Sequence, residues 1–338
     1  MEQLNHKIPL CLCFVLCLTV HYKMFAFQLP DSIANYYTLR NNAERKILSR
    51  DFRSAVEMYT SALEYKYPNE RDVYNAFRAA LLTNDSILGR KFFNIITANG
   101  QTREKLENTP FVKSIKNTTF YQYISMDYDS IYPKKLSVQK TIMISLLDSI
   151  YRIDQDGRTK NPVVGDERKK SIRNADSIAV ALMINLIKEY GFPSYQRVGI
   201  FENIKYGFGA GESTLDLIFW HMWRSGKSSS ELSELAYNAL IDGDLPPEDY
   251  AFYIDGQRKE KIYYAMLSRT DADDYTLEGI FDIAEIDKRR EGIGLYSLSE
   301  FRNRLTFFRE TKEQPELQFR FLSSLNYLVN LMPVGFDY

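Results

Sequence analysis

The sequence predicts a mostly α-helical protein in which a region of helical hairpins packs against a second helical domain, with little or no β structure. From Asp31 onward apolar residues recur every three or four positions, the spacing that lines up one side of a helix. Asp51 and Asp85 stand ahead of such runs, while Pro68, Gly100 and Gly191 close them, as helix starts and stops require. With 338 residues, 45% of them apolar and 14% aromatic, the chain can build a sizeable core and suits two units better than one.

The opening segment is different. Lys7 precedes an apolar run from Ile8 to Val20, then come Lys23 and a small residue at Ala26, so residues 1–26 read as a secretory signal peptide. The run is short for a bilayer, and the chain meets a membrane only if this segment stays uncleaved as an anchor. Cys11, Cys13 and Cys17 all lie inside it, as do His6 and His21, so the mature chain keeps no thiol and a single imidazole, His221. That excludes structural disulfides, a cysteine nucleophile and thiolate or multi-histidine metal sites; no metal and no cofactor are implied. A net charge of −1 supplies no basic face for nucleic acid. The expected location is outside the cytoplasm, periplasmic or at the cell surface.

Residues 31–133 form the first region. A helix over 32–48 carries Ile33, Tyr36, Tyr37, Ala43 and Ile47, and Asp51 caps a second over 52–65 with Phe52, Ala55, Val56, Tyr59, Ala62 and Leu63. A second pair spans 72–82 and 85–98 and stops at Asn99-Gly100. With small and aromatic residues at Ala55, Tyr59 and Ala62 and a spacing near the ~34-residue repeat, this region resembles a tetratricopeptide-type hairpin array. The Trp and Leu-Gly of that pattern are missing and only two pairs can be counted, so the array is expected to pack on the second half of the chain. The resemblance implies a groove for a protein or peptide partner; a plain helical bundle is the alternative. Residues 108–133, rich in tyrosine and phenylalanine, read as a further hairpin or a connector.

Residues 134–312 form the second region. A helix over 136–155 places Asp154 on the same face as Leu147, Ile150 and Tyr151, is stopped by Asp156-Gly157, and leaves Arg158 four positions beyond Asp154. A long helix over 166–190 has Asp176 at the edge of its apolar stripe and ends at Gly191-Phe192-Pro193. A glycine-rich loop over 207–213 comes next, then an apolar helix over 214–224 with His221 between Trp220 and Trp223, expected to be central. Further helices span 229–241, ending at Asp242-Gly243, and 247–254; residues 313–338 read as a C-terminal helix and tail.

Within residues 146–301 the order Asp154, Arg158, Asp176, Gly191-Phe192-Pro193, Val198-Gly199, His221, Gly243, Tyr250-Ala251, Asp255, Tyr263-Tyr264, Arg289-Arg290 and Gly294-Leu295 resembles a family of bacterial domains of unknown function. Trp220, Gly256 and Tyr264-Ala265-Met266-Leu267 depart from its pattern, and the family implies no activity.

The candidate chemistry centres on His221, either a general acid/base or a buried imidazole bonded to Asp154, Asp176 or Asp255. Asp154 and Arg158 have ion-pair spacing, and Asp154 with Asp176 are candidate converging carboxylates. Arg289-Arg290 either clamps a carboxylate or phosphate or closes salt bridges on a helix surface. The glycine-rich loop has no lysine after its last glycine, which argues against a phosphate loop, and Ser213 reads as a helix cap. The leading expectation is a non-enzymatic binding or scaffold protein, with helical grooves in residues 31–100 and binding residues Arg158, Asp176, Tyr264 and Arg289. Its rival is a hydrolase using His221 with Asp154 or Asp255.

Overall fold

A computed structural model of the chain describes residues 29–133, 136–159, 165–199, 230–257, 263–264 and 282–321. Among the described residues there are helices and no strand. Two hairpins come first, α1 (Asp31–Leu48) with α2 (Phe52–Ala62) and α3 (Glu70–Leu82) with α4 (Ser86–Ala98). Asp51 accepts the Ser54 N–H at 3.2 Å and Asp85 the Leu88 N–H at 3.0 Å, the expected start signals. Helix α2 stops at Ala62, short of the expected Tyr65, because the chain tightens there into Glu64 N–H to Ser61 O (3.2 Å) and Tyr65 N–H to Ala62 O (3.0 Å) bonds.

Four short helices come next: α5 (Arg103–Glu107), α6 (Pro110–Ile115), α7 (Thr119–Ser125) and α8 (Tyr128–Ile131). Then come the long α9 (Val138–Thr159) and α10 (Asp166–Tyr190), the single turn α11 (Tyr195–Val198), α12 (Ser230–Ile241), α13 (Pro247–Gln257), α14 (Ile283–Gly292) and α15 (Leu298–Thr311). Gly191 ends α10 with φ +82°, as its sequence requires. Asp156-Gly157 does not end α9, which runs on to Thr159. Gly157 is a contact residue instead: a Cβ there would lie 2.4 Å from Ala175 Cβ, so its absence is what lets α9 and α10 approach.

Two large apolar cores form among the described residues, each drawing on both regions. The first joins Ile33, Tyr36 and Tyr37 of α1 to Leu147 and Ile150 of α9, Met183 and Ile187 of α10, Leu232 and Leu240 of α12, and Ala251 and Phe252 of α13. The second joins Ala43 and Ile47 of α1 to α2–α4 and to Phe307, Leu317, Phe319 and Phe321 near the far end of the chain. Helix α1 thus has its first half in one core and its second half in the other. After α15, the described part of residues 313–338 is a 3₁₀ turn, Pro315–Leu317, and an extended stretch to Phe321. No described helix is long and apolar enough to cross a membrane.

Candidate functional site

The residues singled out by sequence fall into two clusters, with His221, the glycine-rich loop and the helix expected over 214–224 lying outside the described residues. The first cluster lies between α9 and α10. The extra turn of α9 carries Arg158 back towards Asp154 at 3.2 Å, and the same Nη2 meets the Asp176 carboxylate across the helix pair. Asp154 also accepts the Gln155 side-chain amide at 2.7 Å, and both aspartates are buried. A guanidinium set between two carboxylates is a charge-paired bridge from one helix to the other.

The second cluster lies between α13 and α14. Asp255, fully buried, accepts the backbone N–H of Tyr264 at 2.7 Å, and the Tyr264 carbonyl accepts Arg290 Nη1 at 2.6 Å. Arg290 donates its Nε to the Tyr296 carbonyl at 2.7 Å. It is wholly buried, not part of a surface salt-bridge pair as one reading of Arg289-Arg290 had it. The apolar positions either side of it, Ile286 and Ile293, turn that face of α14 inward. Arg289 places its guanidinium over the Tyr263 ring, 4.4 Å from the centroid. Asp255 and Tyr264 are thereby committed to holding the backbone together. Among the described residues no group of histidine, cysteine and acidic side chains is placed to hold a metal ion.

A buried cluster of charge among the described residues escaped the sequence reading. Where α1 passes from one core to the other, Arg40 and Glu44 meet Arg71 and Asp72 of α3, Glu248 of α13 and Arg304 of α15, three guanidinium groups against three carboxylates. Arg40 reaches Glu248 at 2.9 Å, Arg71 reaches Glu248 at 3.0 Å, and Arg304 reaches Glu44 at 2.7 Å, with Arg40, Glu44, Glu248 and Arg304 all fully buried. Tyr36 donates its hydroxyl to Asp72 at 2.6 Å. Burial opposes ionisation of Glu248, but Arg40 and Arg71 outweigh it and hold the carboxyl down to about 2. Beside this seam Lys66 lies 4.3 Å from the Tyr36 ring centroid and donates to Asn69 Oδ1 at 3.1 Å; burial pulls its ammonium down to about 8. The signal was present: Arg40 and Glu44 stand at stripe positions of α1, three beyond Tyr37 and three short of Ile47.

One further arrangement bears on binding. The extended stretch after α15 lies along α3, where the Asn75 side chain grips it at two points. Asn75 Oδ1 accepts the Arg320 N–H and Asn75 Nδ2 donates to the Arg320 carbonyl, both at 2.8 Å. Phe319 stacks on Phe52 of α2 with centroids 5.8 Å apart, and Phe321 meets Phe307 edge-on at 5.6 Å. A helical hairpin here holds a length of non-helical chain by its main-chain amide, a mode indifferent to which side chains that length carries. Compared with known proteins, the chain matches no family model, no curated protein and no solved structure.

Proposed function

We propose that the protein is an exported, non-enzymatic binding or scaffold protein whose helical hairpins hold extended segments of a protein partner. The observation that carries this is the two-point grip of Asn75 on a main-chain amide, a contact that any extended chain can supply. It is supported by the commitment of the candidate acids elsewhere: Asp154 and Asp176 share Arg158, and Asp255 holds Tyr264. Export rests on Lys7, the apolar run from Ile8 to Val20 and the small residue at Ala26.

Panning the immobilised full chain with a random heptapeptide library, then mapping hydrogen-exchange protection by the selected peptides, tests this reading. Protection should fall within residues 31–133, the peptides should be recovered intact, and His221→Ala should leave their affinity unchanged. Protection gathered around residue 221, or cleavage of the peptide that His221→Ala abolishes, would establish the hydrolase instead.

A further inference from the structure

One face of α3 lines up Glu70, Arg71, Tyr74, Asn75 and Arg78, and residues 315–321 run along it in the opposite direction. Arg78 donates to the Pro315 carbonyl at one end. At the other, Arg71 and Tyr296 donate to the Phe321 carbonyl at 3.4 and 3.3 Å. Between them Asn75 holds the Arg320 amide, and the Arg320 guanidinium sits 4.0 Å over the Tyr74 ring while reaching Glu70 at 3.0 Å. The two flanking rings, Phe319 and Phe321, are sealed in the second core, whereas the Arg320 and Glu70 side chains are 39% and 43% exposed.

The face therefore specifies an order: an aromatic residue, then a cation, then an aromatic residue, in extended conformation. Its α3 hydrogen bonds join side chains of the helix to the main chain of the strap, and the Arg320–Glu70 pair is half-exposed and correspondingly weak. Nothing in that set requires the strap to belong to the same polypeptide. Covalent attachment alone gives it an effective concentration on the order of millimolar, enough to keep a modest ligand in place.

We propose that the outer face of α3 is a recognition site for an aromatic–cation–aromatic segment of a partner protein, and that residues 315–321 are a cis occupant which the partner displaces. This rests on the binding-protein reading and adds to it the identity of the ligand and the means by which the site is kept closed. The strap also communicates with the seam, because the Arg71 guanidinium that meets Phe321 O also binds Glu248 of α13.

The test uses a fluorescein-labelled peptide of the sequence Pro-Glu-Leu-Gln-Phe-Arg-Phe and the full chain. Arg320→Glu sets like charges against Glu70 and loosens the strap without touching the aromatic residues. It should bind the peptide at least about tenfold more tightly than the wild-type chain, the strap's competition having been weakened. Adding Asn75→Ala should cancel that gain, and Glu70→Lys should make the face prefer a peptide with glutamate in place of the arginine. In the wild-type chain the Arg320 amide should exchange with solvent deuterium faster than the amides in the middle of α3.

A folded Arg320→Glu chain that ignores the peptide, or binding that is indifferent to Asn75 and Glu70, overturns the proposal. So does an Arg320 amide that exchanges only together with α3, a readout that needs no variant to fold. Concentration-dependent dimers of the Arg320→Glu chain would make a second copy the occupant and overturn the partner segment. In each of these cases library peptides protected elsewhere in residues 31–133 would leave the binding-protein reading standing.

Discussion

Glu248 meets two of the three guanidinium groups of the charged seam, and its removal is the sharpest single test of it. Replacing it with alanine leaves Arg40 buried without its carboxylate and Arg71 with only the more distant Glu44 and Asp72, a loss expected to cost about 3–5 kcal/mol in a urea titration. The pH dependence has a definite sign. A carboxyl held at about 2 in the fold and near 4.5 when unfolded contributes stability that is complete above pH 4.5 and disappears as pH falls towards 2. That contribution is on the order of 3 kcal/mol, so in Glu248→Gln the acid limb of the stability curve should be correspondingly shallower. Lys66 runs the other way. Its ammonium is at about 8 in the fold against an ordinary 10.5, so the unfolded chain binds the extra proton between those values and stability rises with pH there. Lys66→Met should remove that rise. At this scale the sequence was readable for Asp154 and Arg158, whose spacing encodes their ion pair, and silent on Glu248, because its partners lie 208 and 177 positions away.

At the scale of elements, helix ends were legible wherever a glycine or an aspartate has no other task. Gly191 and Asp85 mark α10 and α4 as expected. Gly157 misled because the feature that makes glycine a helix breaker, its missing side chain, is used here for contact between helices. Gly157→Val would drive a branched side chain into Ala175 and should cost about 2–3 kcal/mol by forcing α9 and α10 apart. Gly100→Ala makes the control. It has the same kind of left-handed backbone as Gly191, φ +98°, but nothing within 4 Å of an added Cβ, so only about 1 kcal/mol of backbone strain should appear. The strap over α3 was not legible at all: extended chain held by side chains has no periodicity to read, and residues 313–338 read as a helix and tail.

The whole molecule is held by contacts between chain positions that are far apart. Ile33, Tyr36 and Tyr37 are buried against α9–α13, and Phe307 of α15 is buried with α2–α4, so each core draws on both regions. Unfolding of the full chain should accordingly be a single transition, with far-ultraviolet circular dichroism and the near-ultraviolet tyrosine signal coinciding in urea. A fragment of residues 29–133 should not fold alone, since it would expose two tyrosines and leave Arg40 without its carboxylate; a sharp melt of that fragment would contradict this. The mostly helical class was evident from spacing alone, whereas the sharing of cores was not, because spacing reports which face is apolar and never what covers it.

The position of α1 also has a meaning in time. It is among the first helices to leave the ribosome, yet Arg40 waits for a carboxylate 208 residues later and Glu44 for a guanidinium 260 residues later. Until then Arg40 has Asn41 beside it and Glu44 has the more distant Arg71, but neither has its close ion-pair partner. A helix made early is therefore locked late, after the segments that carry residues 248 and 304 have been synthesised.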